Sequence, residues 1–180
     1  MRKQKGFSLI ELLIVVAIIL IIAAIAIPNL LRSKMSANDS AAASTIRTLN
    51  TAQVTYATNY PTVGFSPSFI FLGPAATASA CGTSTNACLI DAVLSAAATG
   101  PNTKSGYDFR LSPVTTGGVT GDYTISAGAH TIGSTGTNNF CSTADGVIRA
   151  QKNVVTPVPQ LAAAVDNATC PTAAWGAPIQ

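Results

Sequence analysis

Sixteen consecutive apolar residues, Leu12 to Ile27, dominate the amino-terminal part of the chain. Counted from Phe7, the segment is 21 residues, or about 32 Å as a helix at about 1.5 Å per residue. That length matches the roughly 30 Å hydrocarbon core of a bilayer. Arg2, Lys3 and Lys5 precede it and would hold its start on the cytoplasmic side, so that residues after Pro28 lie across the membrane. Hydropathy alone leaves two readings open, a cleaved secretory signal and an uncleaved anchor. The segment is long for a signal, and the small residues Ala24-Ile25-Ala26 run on into further apolar sequence.

Glu11 lies inside this segment, where no Lys or Arg accompanies it. An ionisable residue in a membrane span marks a functional site and needs a partner. A cut between Gly6 and Phe7 would create that partner, the new α-ammonium of Phe7, about one helical turn from the carboxylate or on a neighbouring subunit. The bland alternative is a glutamate near the interface that snorkels outward.

The stretch "KGFSLIELLIVVAIILIIAAIAIPNLL" closely resembles the start of type IV pilins and of the pseudopilins of type II secretion. The resemblance is strong over residues 5–31 and extends to about residue 60. It implies that a membrane aspartyl peptidase cuts after Gly6, that Phe7 is then methylated, and that Glu11 is the fifth mature residue. It also matches Pro28 to the proline of the family's helical stem, near which the helix is often unwound. The lack of an amide hydrogen at Pro28 independently predicts a kink there.

Beyond Pro28 the pattern becomes amphipathic. Leu31, Met35, Ala42, Ile46, Leu49, Tyr56 and Tyr60 fall at steps of three, four or seven, one stripe of a helix that Pro61 ends. Gln53 interrupts the stripe; Arg32, Lys34, Asp39, Arg47 and Asn50 are placed off it. The division expected is a leader over 1–6, a transmembrane or filament-core helix over 7–28, an amphipathic half-stem over 29–60 and a head over 61–180. A membrane anchor followed by an ordinary helix predicts the same stripe.

In the head, Phe65, Phe69 and Phe71 lie on a loop between Pro61 and Pro74 and are expected to pack beneath it. "TNACLIDAVLSAAATG" reads as a helix capped by Asn86 and stopped at Gly100, with Asp91 in its first turn. "GYDFRLSP", "GDYTISAGA" and "FCSTADGVIRA" read as three antiparallel strand segments, the last with a turn at Asp145-Gly146. These segments resemble many pilin-like heads. The tail from Pro157 reads as irregular, with a short helix over Gln160–Val165. The fold class expected is α+β: a long amino-terminal helical stem packed on a small antiparallel sheet.

Cys81, Cys88, Cys141 and Cys170 all follow the membrane segment, on the expected oxidising side. Of three connectivities, Cys81–Cys88 and Cys141–Cys170 is the one expected: the first closes a small loop and the second pins the carboxyl-terminal segment to the sheet. The rival is a metal site of all four cysteines, but no pair shows the close spacing such sites use.

Neither catalytic residues nor cofactors are expected. G-x-S-x-G, Walker A and G-x-G-x-x-G motifs do not occur, and His130, the single histidine, is read as a surface loop residue. Asn138, Asn139 and Asp145 are too scattered for an acidic calcium loop. Asn167-Ala168-Thr169 fits a glycosylation acceptor. Without Arg2, Lys3 and Lys5, the 7 remaining basic residues equal the 7 acidic ones, which argues against nucleic acid as a partner.

The resemblance implies a filament-forming subunit. Its partners would be copies of itself, the prepilin peptidase and assembly machinery, and membrane lipid before assembly. The head would be periplasmic before assembly and the pilus extracellular after it. The alternatives are a type II secretion pseudopilin and a membrane-anchored periplasmic enzyme or binding domain.

Overall fold

The structure, a computed structural model, describes residues 8–74, 81–96 and 102–152, with Ala168, Cys170, Trp175, Pro178 and Ile179. One helix, α1 (Leu9–Asn59), is followed by two single turns, α2 (Phe69–Leu72) and α3 (Ala92–Ser95). Then come five strands: β1 (Asn102–Lys104), β2 (Tyr107–Thr116), β3 (Val119–Ala129), β4 (Asn138–Thr143) and β5 (Ile148–Lys152). The chain divides into two units, Met1–Lys34 and Met35–Gln180.

In the first unit α1 runs unbroken through Pro28. Its large apolar side chains all face out, from Leu9 to Leu31. A helix that is apolar on every side finds its solvent in lipid or among other helices, not in water. It is the one helix among the described residues long and apolar enough to cross a membrane, by length and composition.

The second unit is α+β. The sheet is an antiparallel meander in the order β1-β2-β3-β4-β5. On α1, Ala42, Ile46, Leu49 and Tyr56 are fully buried and share one core with Tyr107, Phe109, Tyr123, Ile125 and Phe140 of the sheet. Phe69 is buried in that core, and Phe65 and Phe71 pack against it. Gly117 and Gly118, with φ of 62° and 85°, make the two-residue β2–β3 turn, which needs left-handed backbone at both positions.

Three expectations change. The sheet has five strands where the sequence predicts three. The third predicted segment is a hairpin, β4 and β5 about the Asp145-Gly146 turn, and β1 pairs with only Tyr107, Asp108 and Phe109 among the described residues. A three-residue strand is too short to show a period of two.

The helix predicted from Asn86 begins instead at Ala92, with Asp91 as its cap; the Asp91 carboxylate accepts the Leu94 amide at 3.0 Å. The amides of Ala87, Leu89 and Ile90 donate to carbonyls of Phe71 and Leu72 instead. Cys88 takes a left-handed φ of 53°, so residues 87–90 cannot wind. Residues 97–100 and the predicted Gln160–Val165 helix lie outside the described residues.

Asp39, Asn50 and Gln53, expected away from the core face or as a break in it, are buried. Each finds polar partners in the head.

Candidate assembly site

The amino-terminal end of α1 is organised by Ser8 and Glu11. The Glu11 Oε2 accepts the Ser8 backbone N–H at 2.9 Å, and the Leu12 N–H donates to the Ser8 carbonyl at 3.3 Å. The first amides of a helix lack intrahelical acceptors, and a glutamate three residues beyond the cap can reach back to one of them. Ser8-Leu9-Ile10-Glu11 is thus an S-x-x-E capping sequence, a signal present in the chain but overlooked when Glu11 is weighed only as a charge. Its carboxylate is also favourably placed against the positive end of the helix dipole. Gly6 and Phe7 lie outside the described residues; in sequence, Phe7 directly precedes the Ser8 amide that Glu11 holds.

The half of α1 in the second unit is fastened to the head by polar side chains. The buried Asp39 carboxylate accepts four hydrogen bonds. They come from the Tyr107 hydroxyl, the Thr137 amide at 3.1 Å, the Thr137 hydroxyl at 2.7 Å and the Asn138 side-chain amide at 2.7 Å. Gly136 lets the loop pass close over the Tyr107 ring, where any Cβ would clash with the phenol. Asn50 donates to the Ser142 hydroxyl at 2.8 Å and accepts from the Tyr123 hydroxyl at 3.2 Å. Gln53 accepts the Ser66 amide at 2.8 Å and donates to the Ser66 carbonyl at 3.2 Å. Asp39 and Gln53 fill gaps in the apolar stripe at the right spacing: 35, 39, 42, 46, 49, 53, 56 and 60 advance by four and three. Period alone would have placed them on the core face.

Cys81–Cys88 and Cys141–Cys170 are both bonded. Cys141 and Cys170 form a small buried cluster with Trp175. Beyond it the chain returns to the sheet: Pro178 bridges Arg149, and the Ile179 amide donates to the Ile148 carbonyl at 2.9 Å.

His130 is exposed at the end of β3, its Nδ1 3.0 Å from an Asp108 carboxylate oxygen. Among the described residues no three His, Cys, Asp or Glu side chains gather to hold a metal. A cleft of about 380 Å³ runs between α1 and the β4–β5 turn. Its Asn50, Tyr123 and Asp145 already spend their polar groups within the head, Asp145 on Arg149 at 2.8 Å.

Burial, reinforced by the charges of Asp122 and Asp145, pushes the Tyr123 phenol up to about 12. Burial and then the hydrogen bond to Asp39 hold the Tyr107 phenol well above its ordinary value. An unfolded tyrosine ionises near pH 10, roughly. A raised folded value means that stability is fully present below the unfolded pKa and is lost as pH rises through the folded one. The head is therefore expected to weaken from about pH 10 upward. Phenolate absorbance should appear together with loss of tertiary circular dichroism. Ordinary titration of all 4 tyrosines in a folded head would contradict this.

Residues 1–27 match the family described as the prokaryotic N-terminal methylation motif. The chain is 65% identical over 40 residues to the "Type IV wide pilus major component PilA4" of Thermus thermophilus, a match covering 22% of this chain and 30% of that protein. It is 48% identical over 54 residues to the "Type IV major pilin protein PilA" of Myxococcus xanthus, covering 30% of this chain and 24% of the relative. The matched part thus spans under a third of either relative's length. No solved structure matches the chain.

Proposed function

We propose that this chain, a member of the type IV pilin family by its amino-terminal segment, is a structural subunit that polymerises into a type IV pilus. One observation carries the reading: a helix apolar on all sides, exposed in the single chain, begins with a carboxylate that accepts the Ser8 amide at its start. Cleavage after Gly6 and methylation of Phe7 would leave an ammonium one residue before the amide that Glu11 grips. The subunit waits in the inner membrane with its head in the periplasm. It leaves as its stem packs among the stems of other copies, where Glu11 and a Phe7 ammonium neutralise each other. Pro28 is the point at which the stem would kink or stretch.

The pairing supports axial register, because a charge left unpaired in an apolar bundle costs roughly several kcal/mol. The pilus reading ranks above the pseudopilin because both named relatives are major pilus components. It ranks above an anchored enzyme because the matched sequence and the capped carboxylate both lie on the stem and not in the head.

Mass spectrometry of the mature protein tests the processing. The expected amino terminus is Phe7 carrying one methyl group, and an intact Met1 start would defeat the filament reading. Electron microscopy of sheared surface material is then expected to show long filaments containing this chain. A properly processed chain confined to the cell envelope would point to the pseudopilin instead.

A further inference from the structure

Arg32 and Lys34 follow directly on the last large apolar residues, Leu30 and Leu31, and both are exposed. Neither has an ion-pair or hydrogen-bond partner among the described residues. The acidic side chains flanking them on α1 are spoken for or remote. Asp39 already accepts four hydrogen bonds from uncharged donors. Glu11 lies 21 residues before Arg32 in the sequence, about 32 Å along a helix.

Their spacing says what kind of partner suits them. Residues two apart on a helix are separated by about 200° of rotation and do not share a face. A single protein surface docked on one side of the helix would reach one cation and miss the other. A layer of headgroups surrounds the helix and reaches both. Depth agrees: with Phe7 at the inner boundary of a hydrocarbon core about 30 Å thick, Ile27 reaches the outer boundary. Arg32 and Lys34 then stand about 8 and 11 Å further out, within the polar layer.

We infer that Arg32 and Lys34 form a basic collar that binds anionic phospholipid headgroups on the outer leaflet of the membrane the stem spans. The collar presupposes the membrane-inserted pilus subunit proposed above. With the leader removed, Arg2, Lys3 and Lys5 are gone, and the Phe7 ammonium is offset by Glu11. The collar is then the net charge nearest the span. It fixes the depth at which subunits wait, so that their Glu11 side chains stand at one level.

The test uses the mature full-length chain, transferred from detergent to vesicles of neutral phosphatidylcholine alone or mixed with anionic phosphatidylglycerol. Flotation measures retained protein, and resistance to alkaline carbonate measures insertion. At low salt the wild type is expected to insert into both and to prefer the anionic vesicles by about fivefold per cation. R32Q/K34Q is expected to insert equally well and to lose that preference; R32Q and K34Q alone lose about half of it each on a logarithmic scale. R47Q, which removes an exposed stem cation beyond the collar, retains it. Full anionic preference in R32Q/K34Q with normal insertion would overturn the collar and leave the membrane reading standing. Loss of the whole preference through one cation alone would also overturn it, since that marks a one-sided contact. Failure of the wild type to insert even into neutral vesicles would overturn the membrane reading itself.

Discussion

Glu11→Ala is expected to abolish surface filaments while leaving the chain cleaved, methylated and in the membrane. The substitution removes the acceptor of the Ser8 amide and, with the processing and packing proposed above, would leave the Phe7 ammonium without a counter-charge in an apolar bundle. Breaking one half of a buried charge pair costs roughly 3–5 kcal/mol. At about 1.4 kcal/mol per factor of ten, that is at least a hundredfold loss in subunit association. Two further variants separate the roles. Glu11→Gln keeps an oxygen that can accept from Ser8 but removes the charge; Glu11→Asp keeps the charge on a side chain one methylene shorter. Pilus yield in the sheared fraction is the readout. If Glu11→Gln assembles like the wild type, the carboxylate serves only as a helix cap and the charge-pair mechanism is wrong.

Asp39→Ala, on α1, should loosen the head from the stem and lower the stability of this unit by about 2–3 kcal/mol. It removes the acceptor of the exposed Thr137 amide and hydroxyl and of the half-buried Asn138 amide, while the buried Tyr107 hydroxyl keeps its 2.9 Å bond to the Asn138 carbonyl. A hydrogen bond to a charged group contributes about 1.5–3 kcal/mol. Asp39→Asn should cost nearly as much despite its similar size. The four partners are all donors, and an amide presents two more donors to them. Denaturant unfolding of the full chain in detergent, followed by the fluorescence of the single tryptophan, Trp175, measures both. A midpoint unchanged in Asp39→Asn would show that the pocket tolerates a donor and that acceptance of these four hydrogen bonds is not what holds α1 to the head.

The stem was legible because its signals repeat. Leu12 to Ile27 offers the same apolar message sixteen times, and Pro61 stops a helix that ends at Asn59. The α+β class was legible too, since Tyr107 to Ser112 and Tyr123 to Gly128 alternate in sequence within strands of 10 and 11 residues. What escaped depends on single contacts. Asp39 and Gln53 occupy core positions by period, yet their polarity argues for the surface until Thr137, Asn138 and Ser66 are seen to answer them. The helix expected at Asn86 has acceptable local chemistry; tertiary pairing of Ala87, Leu89 and Ile90 with α2 overrides it. Ser8-x-x-Glu11 was present in plain sight, but a carboxylate in a membrane segment draws attention to charge before capping.

The return of Pro178 and Ile179 to β5 bears on how a self-associating protein avoids associating wrongly. An open strand edge is a template for any other strand, and heads crowded along a filament would meet many such edges. Here β5 is met by the Ile179 amide and by Pro178. At the opposite side, β1 covers only Tyr107 to Phe109 of β2 among the described residues, and the rest of β2 carries Pro113 and a register shift between Val114 and Thr115, features that make a strand a poor template. Growth through stacked sheets, the route to amyloid, is thereby discouraged in the head. On the pilus reading proposed above, polymerisation would then be left to the stems and would depend on the cut proposed between Gly6 and Phe7.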